Sequence, residues 1–177
     1  MNAMTSLWAR LTAALSGPII ENIVLLITRI GLGMIFWNSY KTKIVEGTWF
    51  TANENQSFLF GDVFRSNPYD LFGIQINGLP IPDSLAIPMS IYAEFALPLL
   101  LFLGVFSRFS AFGLFMMALT IQVFVFPTFD HFSGWFMMVT ALAAVIVTRG
   151  PGVISLDWVL GKVSGLSVPP TSELKTA

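Results

Sequence analysis

Four long apolar segments, separated by polar residues, glycines and prolines, set the pattern of this chain. At ~1.5 Å per residue, a helix of about 20 apolar residues spans the ~30 Å hydrocarbon core of a bilayer. The pattern therefore predicts an all-α integral membrane protein, in which four helices form an antiparallel up-down transmembrane bundle. The predicted spans cover about residues 19–40, 84–104, 109–126 and 132–148.

Two regions flank the four-helix transmembrane domain, which is predicted over residues 18–160. Residues 1–17 carry apolar side chains at helical spacing, which favours an N-terminal amphipathic segment on the membrane surface. A frayed terminus is the alternative interpretation of the same residues. Residues 161–177 are polar and contain two consecutive prolines, and this pattern is typical of a flexible C-terminal tail.

The connection over residues 42–83 is too long for an ordinary loop between helices, so we expect it to be structured or functional. Asn77-Gly78 lies between the apolar runs 74–76 and 79–81, which indicates a β-hairpin that turns at this dipeptide. Because the loop is rich in aromatic residues, we expect it to form an external cap packed over the bundle. The aromatic residues expected against the helices are Trp49, Phe58 and Phe60.

Composition excludes several classes of function. Only 11% of residues are charged and the formal net charge is −1, so there is no electrostatic basis for nucleic-acid binding. The chain has no cysteine and one histidine, so we expect no haem or iron–sulfur cluster within it, and no metal site. Neither a phosphate-binding glycine motif nor a nucleophile elbow is present, which argues against an enzyme that acts on its own.

Basic residues are distributed unequally between the two sides of the predicted bundle. The side that carries both termini holds five of them and the loop side holds three, together with an acidic excess in the loop. By the positive-inside rule, both termini are predicted to be cytoplasmic. The two groups are Arg10, Arg108, Arg149, Lys162 and Lys175, against Lys41, Lys43 and Arg65.

Two charged residues lie deep within predicted spans. Arg29 and Glu94 are each about ten residues, or ~15 Å, from the inner end of their span. A lone charge inside a bilayer costs roughly several kcal/mol, so we expect the two side chains to pair near the midplane. The pair then has two interpretations: an ion pair that only fixes helix register, or a site that binds a ligand or handles protons.

Polar residues at the end of the third span form a second candidate group. His131 follows Asp130 at the start of the fourth span, and Gln122 is the strongest polar group of the third. An interfacial structural role for His131 and a role in ligand binding or proton relay with Gln122 are both compatible with this position. Gln122 and His131 are therefore possible accessory site residues.

Three stretches carry a resemblance to a known family: TRIGLGMIFWNSYKTK, EFALPLLLFLGVFSRF and VTRGPGVISLD, beginning at residues 28, 94 and 147. With the spacing of the four spans, they resemble the DoxX family of small four-span bacterial membrane proteins. The chain departs from the family's pattern at Tyr40, where glycine is common. The family-like polar positions are Arg29, Lys41, Glu94, Arg108 and Asp157, and Lys41, Arg108 and Asp157 join the accessory candidates.

The resemblance implies a location in the bacterial inner membrane and an association with redox systems. The first functional hypothesis is a membrane subunit of a redox complex that binds a quinone or a similar lipid-soluble ligand, with Arg29 and Glu94 at its polar end. The alternative is a non-catalytic anchor or assembly partner in oxidative-stress or metal-handling pathways. The expected partners are the lipid bilayer and either other subunits of such a complex or further copies of this chain.

Overall fold

The chain folds as an antiparallel bundle of four long helices, which confirms the predicted all-α membrane architecture. The computed structural model describes residues 3–58, 68–71, 74–77 and 81–165. The four helices long and apolar enough to span a bilayer are α2 (Pro18–Lys43), α4 (Asp83–Leu103), α5 (Ser107–Phe124) and α6 (Phe129–Arg149). The shorter elements are α1 (Ala3–Leu15), α3 (Glu54–Phe58), β1 (Pro68–Leu71), β2 (Ile74–Asn77) and α7 (Leu156–Val163).

The two ends of the bundle are named here by what they carry. The terminal end carries Pro18 and Arg149, where α2 begins and α6 ends. The loop end carries Lys43 and Asp83, between which the long connection runs. Pro18 is suited to the first turn of α2 because its missing N–H would have no partner there.

Small and branched side chains fill the bundle interior. Leu32 and Phe36 of α2 are fully buried against alanines of α5 and α6, and small residues at such contacts let helices approach closely. Gly33 is one of these contacts, since a Cβ there would lie 2.5 Å from the ring of Phe102. Many large apolar residues are exposed on the outside of the same helices, as expected for surfaces that face lipid.

Helix α2 is staggered along its axis relative to α4. Gly33 lies beside Phe102, and α4 ends one residue after Phe102, whereas α2 extends 15 residues from Gly33 to Pro18. At the loop end, α4 is the helix that extends further. Ser39 contacts Glu94, and from this level α2 continues only to Lys43 whereas α4 continues to Asp83. At the terminal end, the stagger leaves the first residues of α2 without α4 beside them. At the loop end, it leaves the first residues of α4 without α2 beside them, which creates a gap beyond the end of α2.

Residues 150–157 cover the overhanging part of α2 at the terminal end. The side-chain oxygen of Asn22 accepts a hydrogen bond from the Val153 N–H at 2.7 Å. The Asp157 carboxylate accepts from the N–H groups of Phe106 and Ser107 at 2.8 and 2.9 Å, so it caps the N-terminus of α5. Ser155 caps α7 as its hydroxyl accepts from the Trp158 N–H.

The loop end is partly covered by the first residues of the long connection. The Tyr40 hydroxyl donates to the Trp49 carbonyl at 2.5 Å, and Phe50 stacks on Tyr92 at 4.8 Å. The expected packing of Trp49 is present in part: its ring lies edge-on to Phe95 at 6.1 Å, with 65% of the residue exposed. The side chain of Phe58 and all of Phe60 lie outside the described residues.

The structure contains a hairpin in this region, but it is not the predicted one, whose turn and second strand fall mainly on residues 78–80, outside the described residues. The strand Ile74–Asn77 is the second strand and pairs with Pro68–Leu71, with Leu71 opposite Ile74. In the prediction, residues 74–76 formed the first strand and residues 79–81 the second. Pro80 cannot donate a ladder hydrogen bond, and this disfavours residues 79–81 as a strand. The predicted tail beyond residue 165 lies outside the described residues.

Candidate functional site

The predicted ion pair between Arg29 and Glu94 is wrong. The Arg29 guanidinium donates to two backbone carbonyls at the terminal end, those of Pro151 at 3.1 Å and Ile154 at 2.9 Å. It lies against Gly104, where an added Cβ would be 2.6 Å from Nη1. Gly104 is ten residues along the chain from Glu94, which corresponds to ~15 Å of helix. The prediction failed because it assumed that the terminal ends of α2 and α4 lie at the same level, and the stagger removes that assumption.

Glu94 instead pairs with Lys43, the last residue of α2. The Glu94 side chain is fully buried, and its Oε1 lies 2.5 Å from Lys43 Nζ. The Ser39 hydroxyl donates to the same oxygen at 3.1 Å. The second carboxylate oxygen, Oε2, is buried and has no partner in the described part of the chain. The expectation that a buried carboxylate needs a counter-ion therefore holds, with a different cation.

Lys43 is the residue that the sequence analysis missed as a site residue. In the sequence it was counted only among the basic residues of the loop side, whereas Lys41 was one of the accessory candidates. Lys41 is exposed in the structure, whereas Lys43 has only 16% of its side chain exposed. The signal was the helical spacing, since Lys43 lies four residues after Ser39 and seven after the buried Phe36, on one face of α2.

A cavity of about 540 Å³ lies at the loop end, in the gap that the stagger leaves. All four long helices contribute to its wall, and most lining side chains are apolar. Lys43 and Ser39 line it on the α2 side. Met89 and Phe126 also line it and are 60% and 51% exposed, so the cavity is open to the outside of the bundle beside apolar side chains.

Most hydroxyl groups in the cavity wall already donate hydrogen bonds within the protein. Thr42 donates to the Ser39 carbonyl, Ser90 to Ile87 and Thr120 to Met116. Ser39 donates to Glu94. These hydroxyls therefore have no hydrogen left to offer a ligand. Lys43 does, because an ammonium group has three N–H donors and the Glu94 carboxylate uses one.

His131 and Gln122, two of the accessory candidates, are brought together, and His131 lines the same cavity as Lys43. The Nδ1 atom of His131 lies 2.6 Å from Gln122 Oε1. The imidazole stacks on Trp135 with ring centres 5.0 Å apart. Trp135 belongs to a single wide π-helical turn, Phe132–Phe136, and such turns are frequent where a helix has been adjusted around a functional site.

The other accessory candidates lie away from the cavity. Asp157 caps α5 at the terminal end, and Arg108 is exposed there with its guanidinium against Gly150. In the described residues, no group of three or more histidine or acidic side chains is arranged to hold a metal ion. The site is therefore a largely apolar cavity whose polar wall groups include one buried ion pair, one hydrogen-bonded imidazole and the amide of Gln56.

Comparison with known families agrees with this architecture. The model of the DoxX family matches residues 24–127, which is more than half of the chain. The chain belongs to the DoxX family. No curated protein and no solved structure matches it significantly. The DoxX match includes both members of the Lys43–Glu94 pair, and it ends at residue 127, before His131.

Proposed function

We propose that this DoxX-family chain binds a lipid-soluble molecule with an oxygen-bearing head group in the loop-end cavity. A quinone is the ligand that the resemblance suggests, and the chain would then act as the membrane subunit of a redox complex. The observation that carries the proposal is the buried Lys43–Glu94 pair in the wall of an apolar cavity. Charges this deep in a membrane protein are costly and usually serve a site.

The polar and the apolar residues of the cavity bind different parts of the ligand. Glu94, whose carboxylate also accepts from Ser39, holds the Lys43 ammonium in place. The remaining N–H donors of Lys43 are available to a carbonyl or hydroxyl oxygen of the ligand. The apolar lining binds the rest of the molecule, since burial of apolar surface contributes ~25 cal/mol per Å². Because the cavity is open to the outside of the bundle beside Met89, the ligand enters from the bilayer.

The test is recovery of a bound molecule from purified protein. After extraction from membranes in mild detergent, native mass spectrometry and lipid extraction should find one lipid-soluble compound bound to the wild-type protein. The variant Lys43→Met should retain about tenfold less of it, because a hydrogen bond to a charged group contributes ~1.5–3 kcal/mol. The matched control is Lys41→Met, which removes an exposed lysine two residues away and should bind as the wild type does.

Two results would contradict the proposal. Equal recovery from both lysine variants would show that Lys43 does not hold the ligand. A protein that carries no small molecule, but purifies with a second protein, would favour the alternative of a non-catalytic anchor or assembly partner. A stoichiometric complex that also carries the ligand would support a subunit of a redox complex, and the same spectra report whether the partner is another copy of this chain.

We also infer that the protein lies in the bacterial inner membrane with both termini in the cytoplasm and the loop end outside. The inference is supported by the excess of basic residues at the terminal end and by the family. Because the chain has no cysteine, single cysteines can be added without background. In intact cells an impermeant thiol reagent should label Asn55→Cys and leave Ser164→Cys unlabelled. The reverse pattern would overturn the orientation.

A further inference from the structure

The residues around His131 favour one tautomer of its imidazole. The Gln122 amide nitrogen donates to the Thr128 carbonyl at 3.3 Å, so the amide oxygen faces the imidazole. That oxygen lies 2.6 Å from His131 Nδ1. Because an amide oxygen only accepts hydrogen bonds, Nδ1 carries the hydrogen of this bond.

The hydrogen on Nδ1 determines what the other ring nitrogen can do. In a neutral imidazole protonated on Nδ1, Nε2 carries a lone pair and accepts hydrogen bonds. In the described residues, nothing hydrogen-bonds to Nε2 of His131. The ring lies near Phe126 and Trp135, with centroid distances of 5.1 and 5.0 Å, which limits its rotation. The imidazole is therefore a fixed acceptor in the cavity wall.

Besides the side-chain amide of Gln56, which can both donate and accept, the cavity presents two different polar groups to a ligand. Lys43, on the α2 side, can only donate, since an ammonium group has no lone pair. His131, at the start of α6, presents an acceptor. The hydroxyls of Ser39, Thr42, Ser90 and Thr120 already donate elsewhere and add no free donor.

We propose that His131 is the specificity-determining residue of the cavity and that its ligand carries a hydroxyl group. The hydroxyl donates to His131 Nε2, and a second oxygen of the ligand accepts from Lys43. The ligand class is thus a lipid-soluble hydroquinone or phenol with two oxygens, so that of a quinone and its reduced form the cavity prefers the reduced, hydroxyl-bearing one. This inference rests on the proposed function, because it assigns the chemistry of the molecule bound in the same cavity.

The first test needs no ligand. The chain contains one histidine, so protein labelled with nitrogen-15 histidine gives the signals of a single imidazole. We expect a protonated Nδ1 and an unprotonated Nε2 in the purified wild-type protein, and loss of this preference in Gln122→Leu. A wild-type signal for hydrogen on Nε2 would overturn the inference, whatever the cavity binds.

The second test measures selectivity with two matched probes, a long-chain hydroquinone monomethyl ether and its dimethyl ether. They differ by one O–H donor and have nearly the same apolar surface. In lipid nanodiscs, with empty nanodiscs as the blank, the wild type should bind the monomethyl ether about tenfold more tightly, the effect of one hydrogen bond. The variant His131→Phe keeps a ring of similar shape for stacking and should bind both probes alike.

The outcomes separate this inference from the proposed function. Equal affinity of the wild type for both probes would overturn the role of His131 and leave binding in the cavity intact. Binding of neither probe would count against the proposed function, and against this inference with it. Gln122→Leu keeps His131 itself, so a reduced preference in that variant supports the inference even if His131→Phe fails to fold.

Discussion

Replacing Arg29 with methionine should lower the free energy of unfolding by about 2–5 kcal/mol. The guanidinium is 2% exposed and donates to the carbonyls of Pro151 and Ile154. Without it, both carbonyls are left facing a methionine side chain that cannot donate, and the segment that covers α2 loses its main connection to that helix. The change should appear as a lower midpoint when the protein is unfolded by denaturant in mixed detergent micelles.

A second arginine at the terminal end provides the control. Arg149 forms an ion pair with Glu21 at 3.1 Å, with the two side chains 58% and 42% exposed. Exposed pairs of this kind contribute at most about 1 kcal/mol, so Arg149→Met should unfold close to the wild type. Similar losses in the two variants would show that Arg29 is no more important than a surface charge. Arg29→Met should also leave ligand binding intact in the folded fraction, because Arg29 is remote from the cavity.

The four-helix architecture could be predicted from sequence because each helix is determined by residues that are close together in the chain. Each long helix is a run of apolar residues between polar or helix-ending residues, and hydropathy alone detects such runs. Pro18 and Gly104 mark helix ends that the structure reproduces, with Gly104 in the left-handed conformation at φ 69°. The burial of Glu94 followed from the same reasoning, because a charge in the middle of an apolar helix has to face the bundle interior.

The partner of Glu94 could not be predicted in this way, because it depends on how far one helix slides past another. Hydropathy gives the length of a helix and nothing about its axial position relative to a neighbour. The axial position is set by side-chain packing, for example by the Phe102 ring, which packs against Gly33. A shift of about ten residues then exchanges Arg29 for Lys43 as the counter-ion. The strand that pairs with Ile74–Asn77 could not be predicted for a related reason, since pairing joins residues that no local pattern connects.

The stagger of α2 against α4 explains both polar regions of the bundle. At the terminal end it leaves the first turns of α2 without α4 beside them, residues 150–157 cover part of this stretch, and Arg29 holds that cover in place. At the loop end it opens the cavity and leaves Lys43 beside the middle of α4. Arg29 thus has a structural role and Lys43 lies at the candidate ligand site, whereas the sequence offered these roles as alternatives for the pair of Arg29 and Glu94.

The ion pair between Lys43 and Glu94 should show strong coupling in a double-mutant cycle. Lys43→Met leaves the Glu94 carboxylate fully buried with only the Ser39 hydroxyl as a partner, and loss of one member of a buried pair costs about 3–5 kcal/mol. Glu94→Gln should cost less, because the glutamine oxygen still accepts from Lys43 and Ser39. Lys43 is also 16% exposed, so its ammonium can turn towards the cavity, whereas the carboxylate has no such path to a polar medium.

Combining the two changes should restore part of the stability lost in Lys43→Met, because the glutamine amide in the double variant is neutral and needs no counter-ion. We expect a coupling energy of about 1–3 kcal/mol from denaturant unfolding in mixed micelles, with Lys41→Met as the control. Strictly additive losses would mean that the two side chains do not interact. Ligand binding by the double variant then distinguishes the roles of the pair. A stable double variant that has lost its ligand assigns the pair to binding, whereas one that still binds assigns it to helix register.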